Sequence, residues 1–202
     1  MNRFMVAIRS CGLLCLAVLM LGVPSPAADE KKVDLQVGET APVFEATDDQ
    51  GQPWKSADHV GKKYLVVYFY PGDIAPGCTR QAQTFRDNMN KLNDPDIEVV
   101  GVSGDAVTTH ALFKKAQMLN FSLLADEDGN LAKRFGVPVG AGAVVKTKDA
   151  EGKSVALERN ATAARWTFII GKDGKILYKN TKVNPVVDSQ QVAAFIEKIE
   201  KK

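Results

Sequence analysis

Cysteine is scarce in this chain: three residues in 202, with Cys11 and Cys15 inside the first 28 and only Cys78 beyond them. A single thiol past the N-terminal segment excludes an internal disulfide and a self-contained C-x-x-C reductase there, and it singles out Cys78. Histidine is scarcer still. His59 and His110 stand alone in sequence, so no metal site is expected, and no cofactor. Asp48-Asp49 and Asp126-Glu127-Asp128 lack the spacing of a calcium loop. No apolar run reaches the roughly 20 residues that a comfortable membrane span needs, and no internal repeat is visible.

The N-terminal segment explains two of those features. Arg3 and Arg9 flank the entry to an apolar run over residues 11–23; Ser25-Pro26-Ala27-Ala28 then supplies small residues, and Asp29-Glu30-Lys31-Lys32 turns abruptly charged. This is the order of a secretory signal peptide over residues 1–28, cleaved after Ala27 or Ala28, with an uncleaved anchor as the alternative. Cys11 and Cys15 lie before or within the run rather than behind it, which disfavours a lipoprotein. Removing Arg3 and Arg9 takes the 26 basic residues to 24, equal to the 24 acidic ones. A formally neutral mature chain points away from nucleic acid and from stable membrane association. Residues 29–37 read as a flexible, solvated approach. Residues 38–202 read as one domain with a normal core.

Within that domain, residues 44–47 suggest a short strand, followed by a turn over residues 48–53. Residues 64–70 form a continuous apolar, β-branched and aromatic run, as in a strand buried on both faces. Cys78, Ala82, Phe85, Met89 and Leu92 recur at helical spacing. A second buried strand is expected over residues 97–102. Asp105 or Thr108 can cap a helix carrying Ala111, Leu112, Lys115, Ala116 and Leu119. Residues 121–125 look extended, and residues 130–135 look helical and closed by Gly136. Residues 137–164 are the least regular stretch. Residues 166–170 and 175–178 flank Gly171-Lys172-Asp173-Gly174 as a β-hairpin, with Lys172, Lys175 and Lys179 as a solvated face. Residues 188–201 form a closing helix with Val192, Phe195, Ile196 and Ile199 inward. The order predicts an α/β protein with a central mixed sheet flanked by helices.

Cys78 falls where a buried strand ends, a glycine-containing loop turns and a helix begins. Unpaired N–H groups and the positive dipole end gather at such a point. They favour a thiolate over a thiol and can hold an anionic oxygen. Read alone, Cys78 could equally be a small buried hydrophobe.

The segment Phe69-Tyr70-Pro71-Gly72-Asp73-Ile74-Ala75-Pro76-Gly77-Cys78-Thr79 resembles the active-site loop of the peroxiredoxins, and most of all that of the bacterioferritin-comigratory (Q-type) subgroup. Phe85-Arg86-Asp87, Leu123-Leu124-Ala125-Asp126, Ala132-Lys133-Arg134-Phe135-Gly136-Val137 and Arg165-Trp166-Thr167-Phe168-Ile169-Ile170 resemble that subgroup in the same order. The resemblance implies a thioredoxin-like fold with an N-terminal peroxiredoxin-type extension. It implies that Cys78 is the peroxidatic nucleophile and that Pro71 shields it. It also implies that Arg165 stabilises the thiolate and orients the peroxide, where the residues alone would allow a surface charge at a strand end. Gly77 and Ala75 mark the substrate-binding part of the loop.

Two positions depart from the pattern. Ala75 stands where the family carries Thr or Ser, so the hydroxyl that bonds the peroxide is lost, while the backbone N–H groups of Gly77 and Cys78 can still serve. Gln83 stands where many relatives carry a resolving cysteine, and Gln81 where many carry an acid. Together with the leader, the resemblance implies an exported, bacterial periplasmic one-cysteine thiol peroxidase, monomeric or homodimeric. It would act on hydrogen peroxide or small organic hydroperoxides and be recycled by an external thiol, thioredoxin-like or of low molecular weight. The alternative is a redox-sensing or partner-binding protein of the same fold with weak or lost turnover.

Overall fold

A computed structural model describes residues 33–92, 96–148 and 154–201; the leader expected over residues 1–28 lies outside the described residues. The buried apolar run forms β3 (Tyr64–Phe69), whose six residues are all wholly or partly buried. Its neighbours are β4 (Ile97–Ser103), which runs parallel to it, and β8 (Trp166–Ile170), which runs antiparallel. Being covered on both faces is what removes any alternation from these strands. The central sheet contains seven strands in the order β2-β1-β5-β4-β3-β8-β9. Here β1 is Glu45–Asp48, β2 Pro53–Lys55, β5 Ser122–Ala125 and β9 Ile176–Asn180.

The expected mixed sheet flanked by helices is present. The β1–β2 hairpin extends it at one edge and the β8–β9 hairpin closes the other. The helices are α1 (Pro76–Leu92), α2 (Val107–Gln117), α3 (Asn130–Arg134) and α4 (Asp188–Glu200). Two cores result. On one side Phe69, Phe135 and Phe168 pack with Leu65 and Phe44; on the other Tyr68, Cys78, Phe85, Phe113, Val192 and Ile196 pack together.

Four expectations need correction. The turn over residues 48–53 gives way at Pro53 to β2, which pairs with β1. Helix α2 is capped by neither Asp105 nor Thr108: Ala106 is its N-cap, without a side-chain bond. Its buried residues are Thr109, His110 and Phe113, while Ala111, Leu112, Lys115 and Ala116 are exposed. Within the stretch expected to be least regular, β6 (Val139–Lys148) and β7 (Ser154–Ala163) pair as a two-stranded antiparallel ribbon. Most of that ribbon is solvent-exposed and one strand begins with alternating Gly and Ala, so neither burial periodicity nor β-propensity betrays it. Finally, Lys179 is not a solvated hairpin cation. Its Nζ bonds Asp34 and the Leu35 carbonyl and sits 5.0 Å from the Trp166 ring centre. With the Gly38 N–H bonding the Ile176 carbonyl, this ties the described part of the approach, residues 33–37, to the sheet.

The register of β3 against β8 positions the site. Phe69 pairs with Trp166, so the residue before Trp166 and the loop leaving β3 emerge side by side at the end of the sheet. Phe168, fully buried and in ring contact with Phe69, Phe135 and Trp166, holds that register. Phe168→Ala is expected to cost about 3–5 kcal/mol by urea denaturation, as for other large-to-small core changes; a loss under about 1 kcal/mol would contradict this packing.

Candidate active site

The loop after β3 hangs from one buried aspartate. Asp73 Oδ1 accepts a hydrogen bond from the Tyr70 hydroxyl at 2.7 Å, Oδ2 lies 2.8 Å from His110 Nδ1, and the Asp73 N–H donates to Asp105 Oδ2 at 2.8 Å. Arg159, from β7, donates through Nε to Asp105 Oδ1 at 2.9 Å and through Nη2 to the Asp73 carbonyl at 3.3 Å. Ser103 Oγ completes the cluster on Asp105 Oδ2. Tyr70, Asp73, Asp105 and His110 are each at most 1 % exposed. Two buried carboxylates thus face two basic side chains, the arrangement that burial of charge requires. Gly72 belongs to the same cluster, because a Cβ there would fall inside the Arg159 guanidinium.

Downstream of this anchor the chain reverses sharply. Ile74 adopts φ +69°, a left-handed conformation rare for a β-branched residue and worth about 1–3 kcal/mol of strain. Ala75 then takes the N-cap position, its carbonyl accepting the Thr79 N–H at 2.9 Å. Alanine offers no side-chain acceptor to the first-turn N–H groups, unlike the Ser, Thr, Asp or Asn usually favoured there. Pro76 at the first helical position lacks an N–H to satisfy.

Cys78 is the third residue of α1 and 2 % exposed, as its helical spacing and loop context suggest. Arg165, directly ahead of β8, reaches across to it: Nη2 lies 3.0 Å from Sγ, and Nη1 donates to Gln81 Oε1. The sequence-predicted pair is therefore brought together across 87 positions. Gly77 adjoins Arg165, since a Cβ on it would stand 3.7 Å from Arg165 Nη2. Pro71 opens the loop, half-buried between Tyr70 and Gly72. Gln83 Nε2 donates to Gln117 Oε1 of α2 at 2.8 Å.

Gln81 continues the chain of polar contacts inward. Its Nε2 donates to Asp188 Oδ2 at 2.7 Å, and the Thr167 hydroxyl donates to the same oxygen at 2.8 Å. Burial pushes the Asp188 carboxyl above its usual range, against the hydrogen bonds from Thr167 and Gln81 and the charge of Arg165. Burial also holds the Tyr68 phenol well above its ordinary value, helped by the charges of Asp73, Cys78 and Asp188, so it stays neutral beneath the site.

Sequence reading missed Asp73, Asp105, His110, Arg159 and Asp188. They come from five separate segments, and only the helical spacing of His110 and Phe113 carried a usable signal. His110, isolated in sequence, is fully buried against Asp73. Among the described residues no cluster of potential ligands could hold a metal ion, and no helix is long and apolar enough to cross a membrane.

Comparison with known proteins places the chain in a family. The AhpC/TSA family model matches residues 37–179, and the chain belongs to that family, whose peroxiredoxins are thiol-dependent peroxidases. Peroxiredoxin Bcp of Bacillus subtilis is 37 % identical over 150 residues, covering 74 % of this chain and 87 % of its own. The chloroplastic peroxiredoxin Q of Sedum lineare is 42 % identical over 118 residues, covering 56 % of this chain and 63 % of its own length. Among solved structures, peroxidoxin BcpB of Mycobacterium tuberculosis superposes with a TM-score of 0.67 at 28 % identity, covering 82 % of this chain and 98 % of that one. The thioredoxin-like fold and the Q-type character expected from the loop are those of these relatives.

The buried cluster makes stability pH-dependent. Burial alone would disfavour a charged His110, but the hydrogen bond and charge of Asp73, the charge of Asp105 and the Leu124 backbone outweigh it and raise its pKa. His110 is therefore protonated to higher pH in the folded chain than in the unfolded one. Its stabilising contribution is full below the unfolded value, roughly 6.5, and is lost as pH rises through the folded value. The urea midpoint should fall as pH rises above about 6.5 in the wild type, and much less in His110→Gln; equal slopes would contradict this coupling.

Proposed function

We propose that this chain is an exported, bacterial periplasmic one-cysteine thiol peroxidase, with Cys78 as nucleophile and hydrogen peroxide or small organic hydroperoxides as substrates. The observation that carries the reading is the 3.0 Å contact between Arg165 Nη2 and Cys78 Sγ at the start of α1. A guanidinium at that distance stabilises the thiolate and, with the first-turn N–H groups, supplies donors to the peroxide oxygens.

The thiolate attacks the terminal oxygen, the O–O bond breaks, and the alkoxide or hydroxide that leaves takes up a proton, giving sulfenic acid at Cys78. One external thiol condenses with the sulfenic acid to release water and form a mixed disulfide. A second thiol attacks that disulfide, returning the Cys78 thiol and an oxidised donor. Cys78 is the only cysteine outside the segment read as a leader, and Gln83 leaves no resolving thiol in α1, which supports the external route. The donor is thioredoxin-like or a low-molecular-weight thiol, and Pro71 shields the sulfur between turnovers.

Ala75 favours a second reading, a redox sensor or partner-binding protein with slow turnover. Loss of one preorganised donor costs about 10²–10³ in rate in other enzymes. Rapid mixing of the reduced protein with hydrogen peroxide separates the two. The peroxidase reading expects stoichiometric sulfenic acid at Cys78 and none in Cys78→Ser; an unreactive wild-type thiol would overturn it. Ala75→Thr restores both a hydroxyl and an N-cap. It is expected to raise the peroxide rate constant by about tenfold or more, whereas a sensor with specific partners would instead be revealed by trapped mixed disulfides.

A further inference from the structure

We propose that Asp188 is a positioning residue for Arg165, acting through the side-chain amide of Gln81. This rests on the reading of Cys78 as the nucleophile. Asp188 is the first residue of α4 and contributes no atom to Cys78 or to the peroxidatic loop, yet it is fully buried behind Gln81.

Hydrogen-bond polarity fixes the order of these groups. A primary amide donates at one end and accepts at the other; a guanidinium can only donate and a carboxylate can only accept. Gln81 Nε2 faces Asp188 Oδ2 at 2.7 Å, so its Oε1 must face outward, and it takes Arg165 Nη1. Arg165 Nη2 is thereby directed at Cys78 Sγ, 3.0 Å away. The Thr167 hydroxyl, 2.8 Å from the same Asp188 oxygen, fixes the carboxylate from the β8 side. Without an acceptor-only group behind it, Gln81 could flip and present its NH₂ to the guanidinium.

Asp188 also answers a charge question raised by the reaction. While Cys78 is a thiolate, Arg165 has a counter-ion at 3.0 Å. In the sulfenic acid and in the mixed disulfide that anion is gone, and a part-buried guanidinium faces only the neutral Gln81 oxygen. Asp188 Oδ2, one amide further in, accepts from Gln81 Nε2 and so keeps the Gln81 oxygen turned toward Arg165.

Four full-length proteins test this: wild type, Asp188→Asn, Gln81→Glu and the double variant. Two readouts apply to each, the rate of Cys78 alkylation by iodoacetamide at neutral pH, read by peptide mass spectrometry, and the rate constant with hydrogen peroxide. Asp188→Asn is nearly isosteric and leaves Gln81 free to flip; both rates are expected to fall about tenfold or more, the scale of one charge-assisted hydrogen bond. Gln81→Glu sets a second buried carboxylate against Asp188 and is expected to lose as much. In the double variant the carboxylate introduced at position 81 pairs with Arg165 directly, and the amide introduced at position 188 donates to that carboxylate. Both rates should then return to within about threefold of wild type. A merely structural role predicts the double variant to be no better than the worse single one.

Alkylation in Asp188→Asn within about twofold of wild type, or no recovery in the double variant, overturns the proposal. Where Gln81→Glu does not fold, Asp188→Asn alone decides. A wild-type thiol that alkylates normally but ignores peroxide would refute the peroxidase reading, while the alkylation series would still decide the role of Asp188.

Discussion

The contact on which this site depends joins Arg165 Nη2 to Cys78 Sγ, 3.0 Å apart. Everything that shapes the site serves this one contact between residues 87 positions apart. The antiparallel pairing of Phe69 with Trp166 delivers the two segments to the same end of the sheet. The phenylalanine cluster around Phe168 keeps that register, and the start of α1 holds the sulfur at the positive end of a helix. None of these elements is chemically unusual. On the proposed function, their conjunction is what sets this buried thiol apart from an inert one.

Maintaining the contact has structural costs, and they concentrate in the loop between Tyr70 and Cys78. Ile74 is held in a left-handed conformation and Ala75 leaves the N-cap without a side-chain acceptor. What over-determines this loop is the buried cluster of Asp73, Asp105, His110 and Arg159, which gathers residues from the loop itself, the end of β4, α2 and the ribbon. The ribbon thereby gains a defined base. Arg159 lies against Gly72 of the loop before Cys78, and Gly104 is required where a Cβ would collide with the Ala161 carbonyl. Behind Cys78 a second, smaller chain of polar groups from Gln81 to Asp188 and Thr167 supports the guanidinium.

Much of this was legible in the sequence, for reasons that can be named. Strand β3 declares itself because seven consecutive apolar residues have no polar face to show, and α1 because Cys78, Ala82 and Phe85 share one stripe. Gly136 ends α3 at φ +73° as its residue type suggests. The Cys78–Arg165 pair came from family resemblance rather than spacing, because no local pattern links a helix start to a residue before a distant strand. The polar clusters were illegible for the same reason. Aspartate, histidine and arginine look solvated in a single sequence. Only the fold shows Asp73, Asp105, His110 and Arg159 buried together, and Asp188 buried behind Gln81. The ribbon escaped because exposed strands leave no burial rhythm.

The central claim is that Arg165 arms Cys78. The direct measurement is the second-order rate constant for sulfenic acid formation at Cys78, followed by rapid quench and intact mass, in wild type and in Arg165→Gln with the fold verified by circular dichroism. Removing the guanidinium should slow the reaction by about 10²-fold or more, the effect of losing a preorganised charged donor. A folded Arg165→Gln protein that reacts within a factor of about two of the wild type would show that the contact does not activate the thiol.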